Sequence, residues 1–222
     1  MKKAARILSK QNLTHDVLQI IAEKPSDLNF QPGQAVDVSL NLHDWEEELR
    51  PFTFTSLPDD QFIEFTIKTY PDHKGVTNQL LSLSIGDEML IHDVFGDIQY
   101  KDEGIFIAGG AGVTPFIAIF KELNKENKIA NNKLIFANKT KADIILEDKF
   151  DEMLGENFIN VLSDENLDGY EHGFITEEIL KKHIDGNSQY FYLCGPPPMM
   201  DAVEKQLASI GIDNDHIVKE AF

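Results

Sequence analysis

The sequence is short of cysteine and of long apolar runs, and each shortage excludes a class of protein. Cys194 is the single cysteine among 222 residues, which excludes an internal disulfide, an iron–sulfur cluster held by four cysteines and a structural zinc site built on cysteine. A run of about eighteen apolar residues, the length that a transmembrane helix needs, does not occur. The opening residues, MKKAARILSK, lack the apolar segment of a secretory signal. We therefore expect a cytoplasmic protein without membrane insertion.

Basic residues are also scarce. The chain has 20 Lys and Arg against 38 Asp and Glu, which gives a formal net charge of −18. Nucleic-acid binding is excluded as the main role, because neutralising phosphates requires basic surface. Acidic runs such as DWEEEL predict a solvated face. An anionic small molecule could bind only where basic side chains or backbone amides gather.

Residues 1–100 have the pattern of short strands. Segments such as DVLQIIAEKP, GQAVDVSL, RPFTFTSL, FIEFTIKTY and DEMLIHDVFG are rich in β-branched and aromatic residues, and turns with Pro, Gly and Asp separate them. One short helix is predicted at VTNQLLSLS. The pattern predicts a small antiparallel β-barrel.

Residues 101–222 alternate between strand-like and helix-like segments. Five apolar stretches, GIFIAGG, NKLIFANK, NFINVLSDE, QYFYLCG and HIVKEAF, are separated by segments with helical spacing. This alternation predicts an α/β domain with a five-stranded parallel sheet, covered on both faces. Because no linker separates the halves, we expect two domains, 1–100 and 101–222, that pack directly and leave a cleft between them.

A glycine-rich segment, GGAGVTP, spans residues 109–115 after the first parallel strand. Glycines there would let the phosphates of a ligand approach the backbone, with Thr114 as N-cap and Pro115 as the first helical residue. A tight strand–helix turn is the alternative. The segment is neither GxGxxG nor a P-loop, because Pro115 stands where a third glycine would and no Gly-Lys-Ser/Thr follows.

Two other segments could carry chemistry. YLCGPPPMM, residues 192–200, ends the fourth parallel strand, so Cys194 is expected at the same rim of the sheet as the glycine segment. No clear His–Asp pair accompanies Cys194, so we discount thiol catalysis, and a small buried hydrophobe is the alternative role. KTYPDHKGVTNQL gathers two lysines and a histidine before Gly75, which indicates either a second anion site or a solvated loop.

Together these segments resemble the ferredoxin–NADP reductase superfamily over nearly the whole chain. RPFT at 50–53 matches the Arg-x-Tyr-Ser/Thr flavin motif, and GVTNQLL at 75–81 matches the Gly-x-x-Ser-x-x-Leu pyrophosphate motif. GGAGVTP matches the pyridine-nucleotide loop, and LCGPPPMM matches the Cys-Gly-Pro-Pro motif. The resemblance implies an NAD(P)H-dependent flavoprotein reductase, in which a flavin-binding barrel precedes a nicotinamide-binding parallel sheet.

The resemblance also implies roles for residues of the flavin site. Arg50 would pair with the flavin pyrophosphate, Phe52 would lie against the isoalloxazine ring, and Thr53 would place its hydroxyl near flavin N5. Phe52 replaces the usual Tyr and loses a phenol hydrogen bond, and Asn78 takes the Ser position beside Thr77. The implied flavin-binding residues are Arg50, Pro51, Phe52, Thr53, Thr66, Ile67, Lys68, Gly75, Val76, Thr77 and Asn78.

On the nicotinamide side, Cys194 and Gly195 would pack beside the ring whose hydride passes to flavin N5. Phe222 would cover the flavin until the nicotinamide displaces it, and Glu220 would relay a proton or hydrogen-bond near N5. A last strand with a frayed end is the alternative. The implied catalytic residues are Thr53, Cys194 and Glu220, with no metal. The other implied cofactor-binding residues are Gly110, Gly112, Val113, Thr114, Pro115, Cys194, Gly195, Pro196 and Phe222.

The identity of both cofactors stays open at this point. Room for a pyrophosphate at Gly75 favours FAD over FMN. Where members that prefer NADPH have Ser-Arg, this chain has Ser163 and Asp164. Asp164 would repel a 2′-phosphate and favours NADH, although Lys139 and Lys141 are close in sequence.

The electron acceptor is open as well. A lone cysteine allows no fused [2Fe–2S] domain, so electrons would leave to a separate molecule. Ferredoxin or flavodoxin is the first hypothesis, and an NADH reductase for an oxygenase, a cytochrome or free flavin is the second. A non-catalytic flavin-binding electron-transfer or regulatory subunit is the third. Docking an acidic carrier would need a basic patch. The candidates for that patch are Lys2, Lys3, Arg6, Lys68 and Lys74.

Overall fold

The structure is a computed structural model that describes residues 2–70, 72–184 and 189–220. Its residues group into two compact units. The first unit runs to Gln99 and also takes in Thr114–Glu122, and the second comprises Tyr100–Val113 and the chain from Leu123 onward. Within the described residues, no helix combines the length and the apolar character needed to cross a membrane.

The first unit is built on an antiparallel sheet of six strands. Its strands are β1 (Lys3–Asn12), β2 (Val17–Glu23), β3 (Ala35–Leu40), β4 (Arg50–Thr53), β5 (Phe62–Lys68) and β6 (Glu88–Phe95). They lie in the order β4-β3-β6-β1-β2-β5. A bridge from Phe54 to Phe65 joins the end of β4 to β5, the opposite edge, and closes the sheet. The predicted antiparallel barrel is therefore confirmed.

Buried and more exposed side chains alternate along strands of the first unit such as β1, and the buried ones form its core. In β1 the buried side chains are Ala5 and Ile7, with more exposed neighbours between and beside them. This is the pattern of a sheet that buries one face. Phe54 and Phe65 are fully buried, and their ring centroids are 5.3 Å apart. The predicted short helix is α1 (Val76–Gln79), and Val76 packs into the same core.

Helix α2 (Thr114–Lys125) packs mostly within the first unit. The Lys121 ammonium lies 2.8 Å from the Glu64 carboxylate and donates to the Thr55 carbonyl at 2.7 Å. The Thr55 hydroxyl also donates to Glu64 at 2.8 Å. Glu64 is almost fully buried, and a buried charge is tolerated only when it is paired and hydrogen-bonded in this way.

The second unit is built on a parallel sheet. Its strands are β7 (Gly104–Gly109), β8 (Lys133–Asn138), β9 (Phe158–Leu162), β10 (Glu171–His172), β11 (Tyr190–Cys194) and β12 (Ile217–Lys219), in the order β10-β9-β8-β7-β11-β12. The unit's remaining helices are α3 (Glu147–Leu154), α4 (Glu177–His183) and α5 (Pro197–Ser209). Every residue of the central strand β7 is buried, as expected for a parallel sheet covered on both faces.

Three details differ from the sequence prediction. Helix α1 covers only Val76–Gln79, the first part of the predicted segment VTNQLLSLS. The parallel sheet has six strands rather than five, because β10 is a pair of residues, Glu171 and His172, too short and too polar to show a hydrophobic period. Helix α2 begins at Thr114 itself rather than after it. A 3-10 helix over Gly110–Val113 leads directly into it, and helix boundaries are commonly displaced by such a turn.

Candidate functional site

Arg50 opens β4 with an exposed side chain. Its guanidinium donates to the carbonyl of Leu49 at 2.6 Å. Among the residues that the structure describes, Arg50 has no acidic partner. An arginine without a counter-ion in a chain of net charge −18 is available for a phosphate or carboxylate ligand, which it can hold with two parallel hydrogen bonds.

The two residues that close β4 are half-buried. Phe52 packs against the core of the first unit, with its ring centroid 6.3 Å from that of Phe65 and the two planes at 57°. Phe54 enters the same core, so Phe52 and Phe54 share one side of the strand, as alternation predicts. Thr53 lies between them on the other side of the strand. The strand therefore carries an aromatic ring, a hydroxyl and a guanidinium within four residues.

The predicted flavin residues of β5 are mostly buried. Thr66 and Ile67 have exposed fractions of 5% and 2%, so they could reach a ligand mainly through the main chain. The Lys68 ammonium is 2.8 Å from the Asp16 carboxylate, and the Asp16 carbonyl accepts both the amide and the hydroxyl of Thr69. Burial raises the pKa of Asp16, but its bonds with Lys68 and Thr14 outweigh this, so the pKa lies below its ordinary value.

The start of α1 is accessible to a ligand. Gly75, its N-cap, has an extended backbone, and no side chain caps the first turn. A β-carbon placed on Gly75 would have no atom within 4 Å. Val76 anchors the turn in the core, whereas Thr77 and Asn78 are half-buried. The segment thus offers open backbone at the position that the sequence assigns to phosphates.

Next to this segment lies an exposed aromatic residue, Tyr70, that the sequence motifs did not point to. Tyr70 is 44% exposed, and its ring lies nearly parallel to that of His73, with centroids 5.4 Å apart and planes at 14°. Such a stacked pair offers a flat surface to a base or ring. The signal that could have found Tyr70 is an aromatic residue two positions after the end of β5, at Lys68.

In the second unit, the structure brings the glycine segment and the cysteine segment together. A β-carbon on Gly112 would lie 2.3 Å from the Cys194 carbonyl oxygen and 2.6 Å from the Gly195 α-carbon. The two segments can approach this closely only because Gly112 lacks a side chain. Gly110 is left-handed, with φ of +51°, and has open space around it. Its backbone remains accessible at the carboxyl ends of the strands, where ligands of such sheets bind.

The thiol of Cys194 is held in its neutral form. Burial, and then the charge of Glu220, raise the pKa of Cys194 to about 12. A thiol with this pKa is a poor nucleophile at neutral pH. Cys194 can therefore offer a packing surface rather than a thiolate. Glu220 lies near this thiol, whereas Phe222 lies outside the described residues.

A polar cluster lies where β8 and β9 end. The backbone amide of Ser163 donates to the Asn138 carbonyl at 3.0 Å, and the Ser163 hydroxyl donates to the Asp164 carboxylate at 2.6 Å. Asp164 is exposed. The sequence motifs did not point to Asn138, because a single Asn at the end of a strand forms no recognisable pattern. Its side-chain nitrogen is buried and has no hydrogen-bond partner among the described residues, so a ligand could satisfy it.

Lys141, a possible partner for a 2′-phosphate, is engaged elsewhere. Its ammonium lies 5.3 Å from the centroid of the Tyr170 ring, and the Tyr170 hydroxyl donates to Glu147. A hydrogen bond with Tyr170 and the Glu147 carboxylate raise the pKa of Lys141. The positive charge of Lys141 is thus directed towards Tyr170 and Glu147. Lys139 is exposed.

The basic patch expected from the sequence is largely neutralised. Lys74 is exposed, but each of the other four candidates lies within 3.3 Å of a carboxylate. The ion pairs are Lys2 with Glu46 and Glu47, Lys3 with Asp27, Arg6 with Glu23, and Lys68 with Asp16. These residues therefore do not form a basic docking face.

Two protein families match overlapping parts of the chain. Residues 2–136 match the family described as "FAD-binding domain". Residues 106–205 match the family described as "Oxidoreductase NAD-binding domain". The order of the two matches along the chain is the order of the two candidate sites.

Individual proteins match over most of the chain. NADH-cytochrome b5 reductase 1 of Lodderomyces elongisporus is 31% identical over 226 residues, covering 93% of this chain and 74% of that protein. The propane 2-monooxygenase reductase component of Rhodococcus jostii is 28% identical, covering 98% of this chain and 62% of that protein. The FAD/NAD-binding domain of a nitric oxide dioxygenase from Vibrio cholerae has the same fold, with a TM-score of 0.87, 23% identity, and coverage of 99% of this chain and 98% of that one.

Proposed function

Because the chain belongs to the ferredoxin–NADP reductase superfamily, in which an FAD-binding domain precedes an oxidoreductase NAD-binding domain, we propose that it oxidises NADH and delivers the electrons to a separate protein. It is an NAD(P)H-dependent flavoprotein oxidoreductase that binds FAD and NAD. Bound FAD supplies the centre that accepts the hydride of the reduced nicotinamide and releases its electrons to the acceptor. Residues 1–100 would carry the flavin and residues 101–222 the nicotinamide nucleotide.

The observation that carries this proposal is the exposed guanidinium of Arg50, which has no acidic partner among the described residues, on the same strand as the half-buried ring of Phe52. Arg50 would bind the pyrophosphate of FAD, and the backbone amides of Val76 and Thr77, in the uncapped first turn of α1, would donate to the same group. Phe52 would support the isoalloxazine ring, and Thr53 would hold a hydrogen bond at the N5 edge. This division of roles uses Arg50, Phe52 and Thr53 of β4 each for the part of the cofactor that its chemistry suits.

The glycine rim would hold the nicotinamide nucleotide. The open backbone at Gly110 supports contact with its phosphates, and the buried amide of Asn138 would donate a hydrogen bond to it. Neutral Cys194 would pack against the nicotinamide and exclude water without reacting. Glu220 would act as the nearby proton acceptor or donor.

NADH is favoured over NADPH. The exposed carboxylate of Asp164 follows Ser163 at the rim and would repel a 2′-phosphate, whereas it could accept a hydrogen bond from a 2′-hydroxyl. Lys141, which could otherwise attract that phosphate, is directed towards Tyr170 and Glu147.

For the acceptor, a ferredoxin or flavodoxin remains the first candidate. A specific observation favours a second one, a cytochrome or an oxygenase component, because the candidate basic patch is neutralised by ion pairs. The relatives named NADH-cytochrome b5 reductase 1 and propane 2-monooxygenase, reductase component, point the same way. Comparing reduction rates of a ferredoxin, a flavodoxin, a cytochrome b5 and free flavin under the same conditions would rank these candidates.

The absorption spectrum of the purified protein tests the proposal as a whole. We expect oxidised flavin bands at about 380 and 450 nm that bleach when NADH is added without oxygen. Colourless protein that takes up no FAD would reject the flavin site. A yellow protein that NADH does not bleach, and that reduces no dye, would instead support a non-catalytic flavin-binding subunit.

A further inference from the structure

Lys10, near the end of β1, directs its ammonium group at the main chain of a distant segment. It donates to three main-chain carbonyls, those of Leu80 at 3.0 Å, Leu81 at 2.8 Å and Leu83 at 2.7 Å. An ammonium group has three donors, so all of them are used on one segment of chain. That segment lies about seventy residues away in sequence.

The carbonyls that Lys10 binds lie at the end of a short series of turns that begins at Gly75. Gly75 accepts from the amides of Asn78 and Gln79, and Val76 accepts from that of Leu80. The side chains of Val76, Leu80 and Leu83 are buried in the core of the first unit. Carbonyls at the end of such a run have no further amide to accept from. The segment 75–83 is therefore held by apolar anchors on one side and by Lys10 at its end.

We infer that Lys10 is a positioning residue for cofactor binding: it holds segment 75–83 in the conformation that receives the phosphates of FAD. This inference rests on the proposed function, which assigns Gly75–Asn78 to those phosphates. A segment that is already ordered loses less conformational freedom on binding, so the affinity is higher. Lys10 itself would not touch the cofactor, because its donors are occupied by the carbonyls.

The environment of Lys10 supports a specific role for its charge. Its partners are carbonyl oxygens that belong to one segment, and burial lowers the pKa of Lys10 while the nearby Asp87 opposes this. Hydrogen bonds from a charged donor are stronger than those from a neutral one. Replacing the ammonium would leave the three carbonyls without their donor.

The test compares three flavins that differ only in their phosphates and adenylate. Binding of riboflavin, FMN and FAD to the cofactor-free full chain would be measured by fluorescence quenching for the wild type and for Lys10→Met. We expect Lys10→Met, which removes all three hydrogen bonds, to raise the Kd for FMN and FAD about tenfold, because only part of their free energy is coupled to phosphate binding. The Kd for riboflavin, which has no phosphate, should stay unchanged. A role limited to general stability would weaken all three alike.

Two further variants serve as controls. Lys3→Met removes another half-buried lysine of β1, whose ammonium is instead 2.9 Å from the carboxylate of the exposed Asp27; it should leave all three affinities unchanged. Lys10→Arg keeps the charge and the donors and should restore most of the FAD affinity. If Lys10→Met does not fold, Lys10→Arg is compared with Lys10→Gln instead. Lys10→Arg should then bind FAD more tightly than Lys10→Gln, because Gln carries no charge.

The possible outcomes separate the two levels of the proposal. If wild-type protein binds FAD no better than riboflavin, the phosphate site at Gly75–Asn78 is wrong, and the role of Lys10 fails with it. If the wild type prefers FAD but Lys10→Met weakens all three flavins equally, or none of them, phosphate binding by the chain stands and the positioning role of Lys10 is overturned.

Discussion

At the scale of single residues, burial decides what Cys194 can do. It is the chain's lone thiol and lies at the rim where the nicotinamide nucleotide would bind. Its pKa is raised from 9.0 to about 12, because burial and then Glu220 disfavour the thiolate. The neutral thiol is thus favoured in the folded state. Its contribution to stability is complete below pH 9.0 and is lost as the pH rises towards about 12.

This state of Cys194 predicts slow alkylation. In the folded protein at pH 8, we expect iodoacetamide to react at least about a hundredfold more slowly than in the protein unfolded by urea at the same pH. Mass spectrometry of quenched samples would give both rates. A free thiol in the same urea solution controls for the effect of urea on the reagent. Rates within about tenfold of each other would mean that the folded thiol is not protected.

Arg50 gives the second prediction at this scale. Replacing it with Gln removes the charge that would pair with the FAD pyrophosphate, and we expect the Kd for FAD to rise about 10- to 100-fold. The matched control is Arg6→Gln, since Arg6 is bonded to Glu23 in an exposed ion pair that contributes little. Fluorescence titration measures both. Equal FAD affinity in wild type and Arg50→Gln would remove Arg50 from the flavin site.

Asp164 gives the third prediction at the scale of single residues. We expect wild-type protein to show a kcat/KM for NADH at least about tenfold above that for NADPH, and Asp164→Ser to reduce this ratio, because the repulsion of a 2′-phosphate is lost. Asp168, an exposed acid further along the same loop, provides the control Asp168→Ser. Steady-state kinetics with NADH and NADPH, for the wild type and both variants, measure these ratios. A wild-type ratio that favours NADPH tenfold would show that Asp164 does not set the preference.

At the scale of elements, one side chain ties β11 to the chain that precedes β7. The Tyr192 hydroxyl donates to the Asp102 carbonyl at 2.7 Å and accepts from the amides of Lys101 at 2.9 Å and Asp102 at 3.0 Å. Its ring is fully buried and stacks on Phe106, with centroids 4.2 Å apart. Burial raises the pKa of Tyr192 to about 12, although the bonds to Asp102 and Lys101 oppose it.

Removing this hydroxyl should cost stability without removing packing. Tyr192→Phe keeps the stacked ring but leaves two amides and a carbonyl without their partner. We therefore expect the free energy of unfolding to fall by about 1–3 kcal/mol. Urea denaturation followed by circular dichroism measures this. Tyr190→Phe, on the same strand, is the control. A change below about 0.5 kcal/mol would mean that water replaces the hydroxyl.

The elements also show what a sequence can predict. Continuous apolar runs such as β7, and alternation such as that of β2, predict their strands, because each reflects how many faces of the sheet are buried. The segment at 50–53 predicts β4. The pair Glu171–His172 forms β10 only through its neighbour β9, and the buried amide of Asn138 depends on the fold around it. Neither leaves a pattern in the sequence.

At the scale of the whole molecule, the net charge of −18 bears on the acceptor. The ion pairs of Lys2, Lys3, Arg6 and Lys68 leave little positive charge to attract an acidic carrier. We therefore expect the reduction of a ferredoxin or flavodoxin to become faster as salt rises from 20 to about 200 mM, because salt screens the repulsion. Stopped-flow rates measure this, with a neutral dye as the control. A rate that falls with salt would show that a basic docking face exists.

The membership of α2 in the first unit has a consequence for dissecting the chain. Its segment Thr114–Glu122 comes after the first strand of the second sheet, yet it packs with the barrel. A fragment cut at residue 100 would lose Lys121 and leave the Glu64 carboxylate buried without its cation. Halves produced separately would each be incomplete, so the barrel should be soluble and able to take up flavin only when α2 is supplied with it.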